Sequence, residues 1–279
     1  MREKFKKYLP FLIGKYLQLL FLFSPKRAVY KAYILFCTPR KGKVLPDQED
    51  FLEEAEDEII VIDDIYIQTY RWPSMGETII MIHGWESNTH RWKRVIKKLH
   101  DLGYNVIAFD APAHGNSSGK ILSVPFYTKC LQKVIELYRP DHLIGHSVGG
   151  MTTIYHQYIF PNQEINKLVI LAPPSDLSRI MKQFQGILKL SPKFMNALDQ
   201  FFKNKYGFNF EEFSASKFAK KISNKGLLIH DKYDDVAPFS EAEAIGKNWK
   251  NVKFIPTENL GHSLFYEEVD QMIIDFLKE

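Results

Sequence analysis

The chain has 279 residues, 45% hydrophobic and 25% charged, a composition that suits a globular protein and excludes fibrous, disordered and disulfide-framed classes. Its two cysteines, Cys37 and Cys130, have neither disulfide-framework nor metal-ligand spacing and point to a reducing, cytoplasmic setting. The net charge of +4 is uneven: residues 1–45 hold eleven basic side chains against one acid, Glu3, so no nucleic-acid partner is expected of the acidic remainder.

The first 50 residues read as a basic, partly apolar helical segment. Within it, Pro10 to Phe23 reads PFLIGKYLQLLFLF, an apolar run interrupted by Lys15 and Gln18 and too short to span a bilayer. Its basic start and apolar middle have the layout of a signal peptide, yet Ser24-Pro25-Lys26 follows where a small-residue cleavage site would stand. Three readings stay open. The run is a helix docked on the protein, which is preferred, a helix in peripheral contact with a membrane surface, or a retained signal anchor.

From Glu58 onward, residues 58–279 read as one domain of alternating strands and helices. EIIVIDD and IYIQTYRW form a hairpin by their period of two and β-branched content. TIIMIHG (78–84) is an unbroken apolar run ending at glycine, as expected of a strand covered on both faces. RWKRVIKKLHDLG carries apolar positions at helical spacing (Trp92, Val95, Ile96, Leu99) and stops at Gly103. The strand NVIAFDAP, the helix YTKCLQKVIELYR, the strand HLIGHS, a helix from Ser147 and the strand KLVILAP follow. GLLIHD (226–231), a helix near 240–248, VKFIPT (252–257) and a helix from about 265 complete the chain.

Repeated strand–helix–strand units require a mostly parallel, doubly wound sheet covered on both faces, because each parallel return needs a crossover. One interval departs from this alternation. Residues 174–222 are helical in pattern, with Ser191-Pro192 as an N-cap and first-turn proline, and contain nine aromatic side chains. An insertion of this kind after the sixth strand is either a helical lid over a site or extra packing, and the lid is the preferred reading.

In such sheets, sites form at the carboxyl ends of the strands. The unusual polar residues of this chain fall there: His83-Gly84-Trp85, Asp110 through Ser117, His146-Ser147, His230 through Pro238, and Asn259 through Ser263. Ser147 stands in Gly145-His146-Ser147-Val148-Gly149, a G-x-S-x-G pattern. Together with H-G-x, D-x-P-x-H-G-x-S, H-x-x-x-D-x-x-x-P and a late G-H, all in order, these stretches resemble the α/β-hydrolase superfamily from about Glu58 to the C-terminus. One position departs from the family pattern: Asp231 follows His230 where the acid loop usually has glycine.

The resemblance implies an α/β-hydrolase fold and a serine nucleophile. Ser147 is the expected nucleophile, His262 its general base and Asp234 the orienting acid, in the chain order of this fold. Asp235 is the reserve acid, and Asp231 is read as a turn former. The backbone N–H groups of Val148 and Trp85 are the expected oxyanion donors. His83, His114, His146 and His230 are read as hydrogen-bonding and packing groups. The expected reaction is hydrolysis of an ester- or thioester-like acyl bond in a small-molecule substrate, with no metal or organic cofactor implied. An amide or carbon–carbon bond as the target, and a hydrolase-like binding or receptor protein with little turnover, stand as alternatives. The sequence leaves the oligomeric state open.

Overall fold

The structure, a computed structural model, describes residues 2–279, with side chains from Tyr8 onward. It divides into two compact units, one built from residues 39–175 and 215–279, the other from residues 1–38 and 176–214.

The larger unit is an eight-stranded sheet. Its strands are β1 (Glu56–Ile62), β2 (Ile65–Trp72), β3 (Thr78–Ile82), β4 (Asn105–Phe109), β5 (His142–His146), β6 (Lys167–Leu171), β7 (Lys225–Asp231) and β8 (Val252–Thr257), in the order β1-β2-β4-β3-β5-β6-β7-β8. The β1–β2 hairpin is antiparallel, and β2 meets β4 antiparallel; every other pairing is parallel. This is the mostly parallel, doubly wound sheet expected from the sequence. It has the α/β-hydrolase fold.

The helices of this unit are α3 (Pro46–Glu53), α4 (Lys93–Asp101), α5 (Val124–Tyr138), α6 (Val148–Ile159), α9 (Ala215–Ala219), α10 (Phe239–Asn248) and α11 (Glu267–Lys278). The run TIIMI explains itself by alternation. Ile79 and Met81 join one core with Val95, Ile96 and Leu99 of α4 and Val269 and Ile273 of α11. Ile80 and Ile82 point to the opposite face and are equally buried. Each such side chain contributes about 1.5–3 kcal/mol on burial, so a strand covered on both faces has no polar alternation to show. Trp92 belongs to a 3-10 turn, Thr89–Trp92, that precedes α4, so the helix starts one residue later than its apolar spacing suggests.

The N-terminal 50 residues do not form one element. Phe51 and Leu52 of α3 are buried in the sheet unit's core, where Phe51 stacks on Trp72 with ring centroids 5.0 Å apart. Residues before 39 belong to the other unit.

That smaller unit contains α1 (Arg2–Phe23), α2 (Pro25–Cys37), α7 (Leu177–Leu188) and α8 (Pro192–Tyr206). Ser191 caps α8 by accepting from the Phe194 N–H, as its place before Pro192 predicts. Tyr33 sits among Phe201, Phe202 and Tyr206, and its hydroxyl lies 2.6 Å from that of Tyr206. Phe21 packs on Phe194 at 4.8 Å and Phe36 on Phe184 at 5.4 Å. The aromatics of the insertion therefore pack largely against α1, α2 and each other. Gln18, the polar break in the apolar run, also has a task. Its amide donates to Lys189 O and accepts from Ser191 N, holding the turn between α7 and α8. The 174–222 interval is itself divided: α9 belongs to the sheet unit, where Phe218 packs on Tyr155 and Tyr158 of α6.

Candidate active site

The strand order fixes where a site can form. From β3 the chain moves outward to β4, then returns to place β5 on the other side of β3 before running outward through β6, β7 and β8. The order reverses at β3 and β5, so the crevice lies beyond their carboxyl ends. Trp85 and Ser147 emerge there.

Ser147 occupies the turn between β5 and α6 with φ +54° and ψ −123°, a conformation that non-glycine residues seldom adopt. Holding it costs on the order of 1–3 kcal/mol, which the surrounding packing must offset. The flanking glycines make the turn possible. A Cβ on Gly149 would sit 2.2 Å from Ile82 O and 2.5 Å from His83 O, and one on Gly145 would meet Thr153 Oγ1 at 2.7 Å. The turn is pressed against the end of β3 so closely that no side chain fits. Gly149→Ala is therefore expected to cost about 3 kcal/mol, read as a lowered urea midpoint, together with a loss of any activity that depends on Ser147.

Three predicted residues, distant in sequence, meet. His262 Nε2 lies 2.9 Å from Ser147 Oγ, and His262 Nδ1 lies 2.7 Å from Asp234 Oδ2. With Nδ1–H donating to the carboxylate, Nε2 is left bare to accept the serine proton. Asp234 Oδ1 accepts from the backbone N–H groups of Val236 (2.8 Å) and Ala237 (2.9 Å). Burial alone would raise this carboxyl, but the His262 bond and the two backbone donors outweigh it and hold Asp234 below the usual carboxylate range. Asp235 is exposed on the same loop.

Asp231 does more than turn the chain. Its Oδ1 accepts from Tyr233 N, while Oδ2 accepts from Thr257 Oγ1 at 3.0 Å and Leu260 N at 2.8 Å. It thus ties the loop that carries Asp234 to the loop that carries His262. The departure from the family pattern at this position leaves Asp234 facing the imidazole.

The remaining histidines are hydrogen-bonding groups. His83 Nδ1–H donates to Gly84 O and Nε2 accepts from Ala111 N. His114 Nδ1–H donates to Pro112 O, and Nε2 accepts from Glu86 N at 3.0 Å, fixing the loop just after Trp85. His230 Nε2–H donates to Ala237 O. Burial lowers the pKa of each of these three, so they stay neutral at neutral pH. Asp110 supports the same rim: its carboxylate accepts from Thr89 N, Asn116 N and the Tyr70 hydroxyl.

Two further residues hold the base loop: His146, read from the sequence as a hydrogen-bonding group, and Arg91, which the sequence did not single out. His146 Nε2–H donates to His262 O at 2.9 Å, and Arg91 Nη2 donates to Ser263 O at 3.0 Å. Consecutive carbonyls of the base loop are thereby gripped from two sides. Burial lowers the Arg91 guanidinium to about 9, which still leaves it charged at neutral pH.

Val148 opens α6, so its N–H belongs to the helix's first, unpartnered turn and lies next to Ser147. Trp85 follows β3 and Gly84 on the facing strand end. Among the described residues, no group of three His, Cys, Asp or Glu side chains is arranged to hold a metal ion.

The profile of the family described as alpha/beta hydrolase fold matches residues 77–205. Over 200 residues the chain is 28% identical to the uncharacterized protein YqkD of Bacillus subtilis, covering 68% of this chain and 66% of YqkD. The chain thus spans just under two thirds of that relative. It is 24% identical over 259 residues to the monoacylglycerol lipase ABHD6 of Homo sapiens, covering 74% of this chain and 76% of that protein. An esterase of Pyrococcus furiosus superposes with a TM-score of 0.62 at 23% identity, covering 86% of this chain and 97% of that one. At that identity the likeness is one of fold.

Proposed function

We propose, from the premise that this chain belongs to the α/β-hydrolase superfamily, that it is a serine hydrolase cleaving an ester- or thioester-like acyl bond. The observation that carries this reading is the hydrogen-bonded series from Ser147 Oγ through His262 to Asp234, at 2.9 and 2.7 Å. A serine hydroxyl is a poor nucleophile at neutral pH. It becomes effective when an imidazole takes its proton during attack.

In the proposed reaction, Ser147 Oγ attacks the acyl carbon as His262 Nε2 accepts the hydroxyl proton. Asp234 stabilises the resulting imidazolium and keeps the ring in the tautomer that leaves Nε2 bare. The carbonyl oxygen becomes an oxyanion, held by the backbone N–H groups of Val148 and Trp85. As the carbon–oxygen or carbon–sulfur bond breaks, His262 returns the proton to the departing alcohol or thiol. Water, deprotonated by the same imidazole, then attacks the acyl-enzyme; the bond from the acyl carbon to Ser147 Oγ breaks, His262 returns the proton to Oγ, and the carboxylic acid leaves. A relative named as a monoacylglycerol lipase supports an acyl substrate.

The test combines a fluorophosphonate probe with p-nitrophenyl esters of increasing chain length. Labelling at Ser147 together with ester turnover is the expected result. Labelling without turnover of any ester or thioester would move the reading to a hydrolase-like binding protein. Absence of both would overturn it.

A further inference from the structure

From Tyr8 onward helix α1 is apolar around most of its circumference, and only part of that surface is used. At about 100° per residue, the buried residues Gly14, Leu17 and Phe21 fall in one narrow arc, packed within the smaller unit. The opposite arc, about 160° wide, holds Tyr8, Leu9, Phe11, Leu12, Tyr16, Leu19, Leu22 and Phe23, all exposed. Leu19 is 58% exposed, Leu22 76% and Phe23 81%. Among the residues whose side chains are described, Lys15 is the one charged residue in that arc. A helix facing water has the reverse pattern, with polar residues outward. Here eight large apolar side chains point outward in a contiguous band, which marks a surface that meets an apolar environment.

We infer that this face of α1 seats on the surface of an anionic lipid bilayer. No helix among the described residues is long and apolar enough to cross a membrane, so α1 would lie in the interface plane, one face on the protein and the other in the lipid. The charges around the band fit that partner. Lys15 reaches over the Phe11 ring at 5.5 Å, Lys31 over the Tyr16 ring at 5.8 Å, and Lys26 and Arg27 are exposed at the start of α2. No Asp or Glu occurs between Glu3 and Asp47. The same charges disfavour a second copy of this chain as the occupant. Pairing two such faces would bring the basic residues of both α1–α2 segments together, with no Asp or Glu between Glu3 and Asp47 in either to neutralise them. An anionic bilayer supplies both the apolar interior and the opposite charge.

The inference is independent of the hydrolase reading, because its readout is vesicle binding. The full chain is sedimented with vesicles of phosphatidylcholine, with or without phosphatidylglycerol, at low and high salt. Binding to the anionic vesicles that weakens with salt is expected. Leu19→Glu and Leu22→Glu should each reduce partitioning roughly tenfold or more, and Lys26→Gln or Lys31→Gln about fivefold. All four positions are exposed, so melting temperature and hydrolysis of a soluble ester should match the parent protein. Three outcomes would overturn the inference: no binding of the parent protein to anionic vesicles, undiminished binding by both glutamate variants, or a lipid-free dimer that Leu19→Glu dissociates.

Discussion

Ser147→Ala is expected to lower ester hydrolysis by about 10⁴-fold or more and to abolish fluorophosphonate labelling, with little change in melting temperature. The loss is large because the hydroxyl is the atom that bonds to the acyl carbon, and no neighbouring group can take its place. Asp234 and His262 would remain hydrogen-bonded but have no nucleophile to serve. The cost to stability is small because the substitution removes one oxygen and a bond to His262, a net contribution of about 1 kcal/mol. The left-handed backbone at this position is no harder for alanine than for serine, so the turn is retained. Circular dichroism and a thermal melt measured beside the kinetics separate loss of chemistry from loss of fold. Residual turnover within tenfold of the parent would mean that the serine is not the nucleophile.

Asp234→Asn should cost about 10³- to 10⁴-fold, whereas Asp235→Asn should stay within about twofold of the parent. The two carboxylates are adjacent in sequence, but the structure separates them sharply. Asp234 is buried against His262 Nδ1 and is held by two backbone N–H groups, while Asp235 is exposed. An amide at position 234 removes the charge that stabilises the imidazolium and can present its NH₂ to Nδ1, favouring the wrong tautomer. The linkage has a definite sign. Asp234 is depressed below its unfolded value near 3.8, so its contribution to stability is complete above that value and is lost as pH falls through the lower folded one. Acid sensitivity that begins well above pH 4 therefore belongs to other groups, such as the buried neutral histidines. Steady-state kinetics of both asparagine variants decide the matter. Equal losses, or a reversed ranking, would remove Asp234 from the proposed mechanism.

The parts of the fold legible from sequence were those written in local pattern. Apolar runs ended by glycine located the central strands, and the polar residues just after them marked the rim, because a parallel sheet sends all its carboxyl ends to one edge. Ser147, His262 and Asp234 could be picked out on that basis together with the family resemblance. Arg91 could not. A cation ahead of an amphipathic helix has the same signature whether it faces water or grips a carbonyl 172 residues away, as Arg91 does with Ser263. Asp231 was legible as a turn former by its residue type, and it does accept from Tyr233 N, but its reach to Leu260 depends on the pairing of β7 with β8. The association of α1 and α2 with the inserted helices was illegible for the same reason. Their apolar periodicity states that each needs a partner and says nothing about which segment supplies it.

That distant pairing has a consequence for how the protein is made. The hydroxyls of Tyr33 and Tyr206 meet across 173 positions of chain. At a ribosomal rate of about 5–20 residues per second, α2 waits roughly 10–35 s before α8 has been synthesised. During that interval Tyr33, Phe36 and the inner face of α1 lack the surfaces they finally bury, and the whole sheet up to β6 is translated first. The smaller unit therefore assembles late, and the nascent chain carries an exposed apolar hairpin through most of its elongation. A chaperone or a nearby membrane surface would meet that hairpin well before its own partners do.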